Sequence, residues 1–254
     1  MSTVRSLHGG ESPWWVDAVS GPLVLRAPSS RISLDQIAVN VAALEVAARH
    51  GLPAPRLVAA SPGVSLETVV LGTSNWPAAL SVSFLRAAGA AVARVHRIGP
   101  QPGLPFRPRP IAVDDFAHER RVGRMATTAL LSRADELVSA LPPPSSPFVF
   151  VHGDVWPGNT VVADGVVHAL IDWKTAGVGN PGVDIGELRK QVTLLYDDAA
   201  ARLVLDGWER ASGERARDVA YWDAVAALNT PTILYSPHAT GRRDDFLRSA
   251  LARL

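Results

Sequence analysis

A short apolar strand, a polar loop and a hairpin between residues 148 and 172 constrain the fold of this chain more than any other segment. Residues 148–151 form a short apolar run that predicts a buried strand. Asp164-Gly165 lies between two further apolar runs and predicts a tight turn in a hairpin over residues 159–172. The polar loop of residues 152–158 therefore joins a buried strand to a hairpin.

The predicted hairpin brings an amide and a carboxylate together at its open end. With the turn at residues 164–165, Asn159 faces Leu170, and Asp172 is the diagonal neighbour of Asn159 on the same face. An amide oxygen and a carboxylate in this arrangement can bind one hard cation, and Mg²⁺ prefers such oxygen ligands. Asp154, in the loop upstream, is placed to accept a proton from a substrate hydroxyl group.

The residues before this segment predict a small sheet that carries one helix. Apolar runs between turn residues predict strands at residues 4–7, 14–19, 23–26, 57–59 and 67–71. Ser33 followed by Gln36 fits a capping box, apolar residues then recur at helical spacing, and Gly51 is the expected stop. Residues 1–75 therefore form one predicted lobe.

The rest of the chain is mainly helical in its pattern. A long helix is predicted over residues 79–96, although Gly89 weakens it, and another over residues 115–141. Between them, five prolines in residues 99–110 predict an extended loop. We therefore predict an α+β protein in two parts, a β-rich lobe of residues 1–75 and a larger helical lobe of residues 76–254 that contains the hairpin.

Composition excludes several classes of function. The chain has 25 Lys and Arg against 24 Asp and Glu, a balance that is atypical of nucleic-acid binders and polybasic membrane proteins. It has no cysteine, which excludes thiolate nucleophiles and cysteine-bound zinc. No apolar run reaches the ~18 residues of a membrane span. We expect a cytoplasmic protein with no nucleic-acid or membrane partner, and the sequence leaves its oligomeric state open.

Three short motifs resemble those of one known family. They are His152-Gly153-Asp154 with Asn159, Ile171-Asp172-Trp173, and Gly179-Asn180-Pro181 with Asp184. They are similar to the catalytic motifs of the aminoglycoside phosphotransferase and choline-kinase-like family, most strongly over residues 148–190. The resemblance implies a two-lobed, protein-kinase-like fold. It also implies transfer of the γ-phosphoryl group of ATP or GTP to a hydroxyl of a small molecule, with Mg²⁺ as cofactor.

The resemblance implies roles for individual side chains in the second lobe. Asp154 would be the catalytic base, and Asn159 and Asp172 would bind Mg²⁺. His152 and Asp184 would hold the catalytic loop in shape.

The resemblance also implies contacts to the nucleotide from the first lobe. The residues concerned are Gly9, Gly10, Ser12, Arg26, Val70 and Leu71. The first three belong to a segment similar to a short phosphate-covering loop, and the arginine takes the place of a phosphate-binding lysine. The last two lie where the adenine ring would pack.

The first lobe departs from the family pattern at the partner of Arg26. The helix should offer a glutamate to this cation, but the expected position holds Asn40, and the available glutamate is Glu45. Helical periodicity does not choose between them. A chain that lacks this ion pair would bind nucleotide poorly, so the alternative function is a catalytically weak, kinase-like nucleotide-binding protein.

The sequence does not identify the phosphoryl acceptor. Residues 185–254 carry equal numbers of acidic and basic side chains, so they give no bulk charge signal. Aromatic side chains in this part are candidates for an acceptor pocket, with core packing as the alternative. They are Trp208, Tyr221, Trp222 and Tyr235, and the segment from Leu188 to Tyr196 is a further candidate.

Overall fold

The computed structural model describes residues 3–109, 115–145 and 147–254 of the chain. The first two residues of the predicted first lobe and Pro110 of the predicted loop lie outside these ranges. The strands are β1 Val4–His8, β2 Glu11–Ala18, β3 Gly21–Arg26, β4 Leu57–Ser61, β5 Val64–Thr68, β6 Phe106–Arg107, β7 Val149–Val151, β8 Thr160–Ala163, β9 Val166–Leu170 and β10 Gly177–Gly179. The helices are α1 Leu34–Arg49, α2 Val82–His96, α3 Phe116–Arg121, α4 Ala129–Ala140, α5 Gly182–Leu195, α6 Asp198–Ser212, α7 Val219–Leu228 and α8 Pro237–Leu251.

The first lobe is an antiparallel sheet in the order β1-β2-β3-β5-β4, with α1 as its helix. The predicted capping box is present, because the Ser33 hydroxyl accepts from the Gln36 backbone N–H and the Gln36 side chain accepts from the Ser33 N–H. After α1, Gly51 has a φ of 65°, a left-handed conformation that glycine adopts at little cost. The α+β architecture predicted for this region is therefore observed.

One strand of this sheet lies elsewhere than predicted. β5 covers Val64–Thr68 instead of residues 67–71, because the chain turns at Gly63, whose φ is 80°. The β4–β5 hairpin is thus tighter than the apolar pattern indicated. Residues 69–71 lie outside the sheet and connect β5 to Thr73. Thr73 forms an isolated antiparallel bridge with Val162 of β8.

Two glycines let α2 and α6 cross with their backbones almost in contact. A Cβ atom on Gly89 of α2 would lie 2.0 Å from the Val204 carbonyl oxygen, and one on Gly207 of α6 would lie 2.1 Å from the Arg86 carbonyl oxygen. Such distances are far inside van der Waals contact, so both positions need glycine. Gly89, which the sequence suggested would weaken α2, instead fixes how α2 packs.

The helix predicted over residues 115–141 is interrupted. α3 ends at Arg121 and α4 begins at Ala129, with Gly123 in a left-handed conformation between them. The Thr128 hydroxyl caps α4 by accepting from the Leu131 N–H at 3.2 Å. The preceding proline-rich loop is also less irregular than predicted, because it contains the short strand β6, which pairs with β10.

The hairpin β8–β9 has the predicted turn and a different register at its open end. Ala163 pairs with Val166 as predicted, but a bulge between Val161 and Val162 shifts the pairing by one residue. The prediction that Asn159 faces Leu170 is therefore wrong. The Asn159 carbonyl oxygen instead accepts from the backbone N–H of Ile171 at 2.9 Å, which places Asp172 directly after the residue opposite Asn159.

The strand, loop and hairpin of residues 148–173 rest on the main hydrophobic core of the helical part. Phe150 of β7 and Trp173 are both fully buried, and their rings stack with centroids 5.4 Å apart at an interplanar angle of 5°. Both residues lie next to the loops that carry the polar side chains, so core packing holds these loops in place. None of the helices in the described ranges has the length and apolar composition that crossing a bilayer requires.

Candidate active site

A cleft of about 880 Å³ lies between the first sheet and the loop of residues 152–158, which is the predicted catalytic loop. Its volume suits a small-molecule ligand. The polar side chains that line it include Ser12, Arg26, Gln36, Asp154, Asn159, Asp172 and Lys174. The three oxygen-bearing side chains that the sequence singled out, at positions 154, 159 and 172, therefore reach one cleft.

Some predicted nucleotide-contacting residues lie away from this volume. Gly9 and Gly10 form the turn between β1 and β2 with left-handed φ values of 60° and 98°, and they are not among the residues that line the cleft. Val70 and Leu71 lie in the connection after β5 and do not line it either; Leu71 is 79% exposed. Ser12 does line the cleft, and its buried hydroxyl accepts from the Ala27 N–H at 2.9 Å.

Gly153 and Asn159 place the carboxylate of Asp154 in the cleft. Gly153 has a φ of 84°, and a Cβ there would lie 2.3 Å from the Thr175 carbonyl oxygen, so this close approach requires glycine. The Asn159 side-chain NH₂ donates to the carbonyl oxygen and to Oδ2 of Asp154, both at 2.9 Å. The amide oxygen of Asn159 thus faces away from Asp154.

Burial raises the pKa of Asp154 to about 7, and the nearby carboxylate of Glu187 adds to the shift. Lys174 and Lys190 act in the opposite direction with smaller effect. A carboxyl group with this pKa changes its protonation state near neutral pH, as a general base for hydroxyl chemistry does.

The raised pKa predicts a pH-dependent effect of Asp154→Asn on the stability of the metal-free protein. An unfolded chain loses the Asp154 proton near pH 3.8, whereas the folded chain keeps it up to about pH 7. Wild-type stability therefore falls as the pH rises through this window, and the asparagine variant escapes this loss. We expect the difference in Tm, variant minus wild type, to grow by at least about 2–4 °C between pH 5 and pH 8. Thermal unfolding at a series of pH values measures it, and a pH-independent difference would contradict the assignment.

Asp184 holds the backbone of the catalytic loop. This fully buried residue of α5 accepts from the backbone N–H groups of His152 at 2.8 Å and Gly153 at 2.7 Å. It also lies 3.0 Å from Nε2 of His96. Burial alone would raise the pKa of Asp184, but these bonds, the one from His96 first, hold it below its ordinary value.

A hydrogen-bond relay fixes the tautomer of His96. The Trp208 indole N–H of α6 donates to Nδ1 of His96 at 2.9 Å. Nδ1 is therefore an acceptor, the proton of the neutral ring is on Nε2, and this proton goes to Asp184. The sequence motifs did not indicate His96 or Trp208 as supports of the loop, because both are distant from the loop in sequence.

His152 links the catalytic loop to the end of the hairpin. Its Nδ1 accepts from the Asp154 backbone N–H at 3.3 Å, and its Nε2–H donates to the Ile171 carbonyl oxygen at 3.0 Å. Burial lowers the pKa of His152, which agrees with a neutral ring that accepts on one side and donates on the other. The side chain thereby ties the loop that carries Asp154 to the residue before Asp172.

Asp172 adopts a left-handed conformation, with a φ of 64°, at the end of β9. Arg26 donates from Nη1 to Oδ1 of Asp172 at 3.0 Å, and the ammonium of Lys174 contacts Oδ2. Burial would raise the pKa of Asp172, but these two cations hold it below its ordinary value. Asp172 is therefore ionised, and each of its two oxygens contacts a positively charged side chain.

The buried partner of Arg26 is Glu67 of β5, which the sequence did not indicate. Arg26 donates from Nε to Oε1 of Glu67 at 2.9 Å, and Asn40 donates from Nδ2 to the same oxygen at 2.5 Å. Neither Asn40 nor Glu45 pairs with Arg26, so both options that the helix offered are wrong. Asn40 acts as a bridge, because its Oδ1 accepts from the Trp173 N–H at 3.1 Å, whereas Glu45 is exposed.

The two carboxylates stabilise the charged form of the buried Arg26 side chain. Burial by itself would lower the pKa of this guanidinium, but Asp172 and Glu67 raise it above its ordinary value. The one signal in the sequence for Glu67 was a single acidic residue in an apolar run, which a buried strand tolerates only with a partner.

Glu67→Ala is predicted to destabilise the protein by about 3 kcal/mol, because it leaves the buried Arg26 and Asn40 donors without their shared acceptor. Glu45→Ala, on the exposed side of α1, is the matched control and should change stability by no more than about 0.5 kcal/mol. Urea denaturation of both variants measures the difference. Equal stabilities would show that the Arg26–Glu67 pair does not support the first lobe.

The aromatic residues proposed for an acceptor pocket separate into two groups. Trp208, Tyr221 and Trp222 are buried, which agrees with the core-packing alternative. Tyr235 is 77% exposed and stays a candidate for contact with a ligand.

The sequence matches the phosphotransferase enzyme family over residues 3–228. The homoserine kinase of Rhodospirillum rubrum is 27% identical over 168 residues, which are 60% of this chain and 52% of that protein. The chain thus spans about half the length of this relative.

Solved structures share the fold. The macrolide 2′-phosphotransferase of Brachybacterium faecium superposes with a TM-score of 0.64 at 19% identity, over 92% of this chain and 93% of that one. An aminoglycoside phosphotransferase of Streptomyces rimosus, solved with ADP and streptomycin, gives a TM-score of 0.55 at 19% identity, over 86% and 92% of the two chains. The two-lobed, kinase-like α+β fold expected from the sequence is confirmed.

Proposed function

Because the chain belongs to the phosphotransferase enzyme family, we propose that it transfers the γ-phosphoryl group of ATP or GTP to a hydroxyl group of a small molecule. The observation that carries this proposal is the meeting of Asp154, Asn159 and Asp172 at one cleft. In this proposal, residues 1–75 form the nucleotide-binding lobe and residues 76–254 form the lobe that carries the base and the metal ligands.

The ligand set suits Mg²⁺. The proposed ligands are the amide oxygen of Asn159 and the carboxylate of Asp172, whose side chains line the same cleft. In the described ranges, no group of three or more His, Asp or Glu side chains is placed to hold a metal ion. Mg²⁺ is commonly held by so few protein ligands, with waters and substrate phosphates as the others. When bound, the ion would neutralise negative charge on the phosphate oxygens.

Asp154 is the proposed base. The acceptor hydroxyl gives its proton to the Asp154 carboxylate as its oxygen forms a bond to the γ-phosphorus. The bond between this phosphorus and the bridging oxygen breaks, and the nucleoside diphosphate leaves. Asn159 orients the carboxylate through its bond to Oδ2, and Asp184 holds the loop, so the main contribution of the protein is positioning.

Arg26 and the residues around it are the proposed phosphate contacts. Arg26 lines the cleft, and its charge is held by Glu67 and Asp172. A guanidinium offers a planar set of donors that matches phosphate oxygens. The proposed nucleotide site also includes Gly9, Gly10 and Ser12 as cover for the phosphates and Val70 and Leu71 as contacts to the base. Of these five, only Ser12 lines the cleft itself.

The alternative, a catalytically weak nucleotide-binding protein, rested on the apparent lack of an acidic partner for Arg26. Glu67 supplies that partner, which favours an active enzyme. The two functions give different results in one experiment. Binding of ATP and GTP is measured with and without Mg²⁺, and transfer is then measured on a panel of hydroxyl compounds.

The panel follows from the relatives named above, which suggest a macrolide, streptomycin and homoserine, and from the resemblance to choline kinases, which adds choline. Phosphorylated product, detected by mass spectrometry, with matching release of nucleoside diphosphate supports the proposal. Magnesium-dependent nucleotide binding without transfer to any compound of a widened panel would favour the alternative. Loss of both binding and transfer would contradict the proposed function itself.

A further inference from the structure

Asp172, the proposed metal ligand, already has a cation on each of its two carboxylate oxygens. Arg26 lies 3.0 Å from Oδ1, and the ammonium of Lys174 contacts Oδ2. The arginine is committed elsewhere as well, because its Nε donates to Glu67. Lys174 differs from Arg26, because its ammonium is a compact charge at the end of a flexible side chain and can move away from Asp172 more easily.

The backbone conformation after β9 places the Lys174 side chain against Asp172. The left-handed conformation of Asp172 is followed by a short 3₁₀ turn, Trp173–Thr175, whose hydrophobic residue packs into the core. The Lys174 side chain is only 9% exposed and lines the same cleft as Asp154 and Asn159. Lysine is rare in this chain, at positions 174 and 190 alone against many arginines.

We propose that Lys174 is a tethered cation that competes with the divalent metal ion for Asp172. It rests on the proposed function, since it takes Asp172 as a metal ligand. In the metal-free protein the ammonium neutralises the half-buried carboxylate. On binding of a divalent ion at Asp172, the ammonium would leave this carboxylate, and its short side chain would keep the positive charge in the cleft with Asp154 and Asn159.

Competition of this kind predicts the direction in which removal of the Lys174 charge changes the affinity for a divalent ion. A neutral side chain at position 174 leaves Asp172 with one cation fewer, so a divalent ion binds there more tightly. Interactions between charges that are shielded from water are strong, and we expect the gain in affinity to be about tenfold or more. A lysine that merely packs against Asp172 would give no gain.

The test is binding of Mn²⁺ to the nucleotide-free protein, followed by the electron paramagnetic resonance signal of the free ion. Lys174→Met should bind Mn²⁺ at least about tenfold more tightly than wild type, and Lys174→Gln should shift in the same direction. Lys174→Arg keeps the charge and should stay closer to wild type. Arg31→Met is the matched control, because Arg31 also lines the cleft but is exposed and does not contact Asp172; it should change the affinity much less.

Asp172→Asn separates this inference from the proposed metal site. If it removes Mn²⁺ binding while Lys174→Met and Lys174→Gln, both folded by circular dichroism, bind as wild type does or more weakly, the metal site stands and the competition is refuted. If Asp172→Asn binds Mn²⁺ as tightly as wild type, Asp172 is not the ligand, and the proposed site fails together with the inference. An equal gain for Arg31→Met and Lys174→Met would reduce the effect to general charge and also overturn the role of Lys174.

Discussion

Asp154→Asn is expected to lower kcat for phosphoryl transfer by about 10²- to 10⁴-fold, the range that a positioned general base contributes. The variant should keep the shape of the loop. In the wild type the Asn159 side chain donates to Oδ2 of Asp154, and the amide oxygen of an asparagine at position 154 can accept the same hydrogen bond. The variant loses the carboxylate that is proposed to take the hydroxyl proton. Nucleotide affinity should stay within about threefold of wild type, since Asp154 is not a proposed nucleotide contact.

Asp164→Asn is the matched control for this experiment. Asp164 lies in the hairpin turn, is exposed, and has a φ of 51°, a conformation that asparagine also tolerates. Its kcat should equal that of wild type. Single-turnover transfer and nucleotide titration are measured on both variants. An Asp154→Asn enzyme that keeps full turnover would remove the base from the mechanism and leave catalysis to positioning and charge alone.

Asp184→Ala is expected to destabilise the protein by about 3–5 kcal/mol and to abolish measurable transfer. The substitution removes the acceptor for two backbone N–H groups of the catalytic loop and for the His96 ring. All of these donors are buried, so water does not readily replace the lost carboxylate. The loop then has no fixed position, and the geometry at Asp154 is lost with it.

Chemical denaturation gives the stability of this variant, and Asp35→Asn is its control. Asp35 is exposed in the first turn of α1, and its replacement should cost no more than about 0.5 kcal/mol. If Asp184→Ala unfolds at the same denaturant concentration as wild type, the carboxylate does not brace the loop. Full activity of a folded Asp184→Ala variant would also show that the Asp184 carboxylate does not brace the loop.

Local signals explain why so much of the site could be predicted. The strand of residues 148–151, the tight turn at Asp164-Gly165 and the capping box at Ser33 are each encoded within a few residues. The positions of Asp154, Asn159 and Asp172 at one cleft follow from the order of these elements. Their roles remain predictions until the variants are measured.

Features that depend on contacts between distant segments were not predicted. The bulge between Val161 and Val162 shifts the register at the open end of the hairpin, and no residue type in the strands announces it. Glu67 meets Arg26 only because β3 and β5 are neighbours in the sheet. The predicted end of β5 at residue 71 is also wrong, because the apolar pattern continues past Thr68, where the strand ends.

The close crossing of α2 and α6 has a consequence for natural variation in this chain. α2 ends at His96, and α6 carries Trp208. The distance between the two helix axes therefore sets the lengths of the hydrogen bonds from Trp208 to His96 and from His96 to Asp184. A single extra methyl group at Gly89 or Gly207 would push the helices apart and stretch that chain of bonds. A random-mutagenesis screen that scores turnover should therefore find loss-of-function alleles at Gly89 and Gly207, although neither glycine lines the cleft.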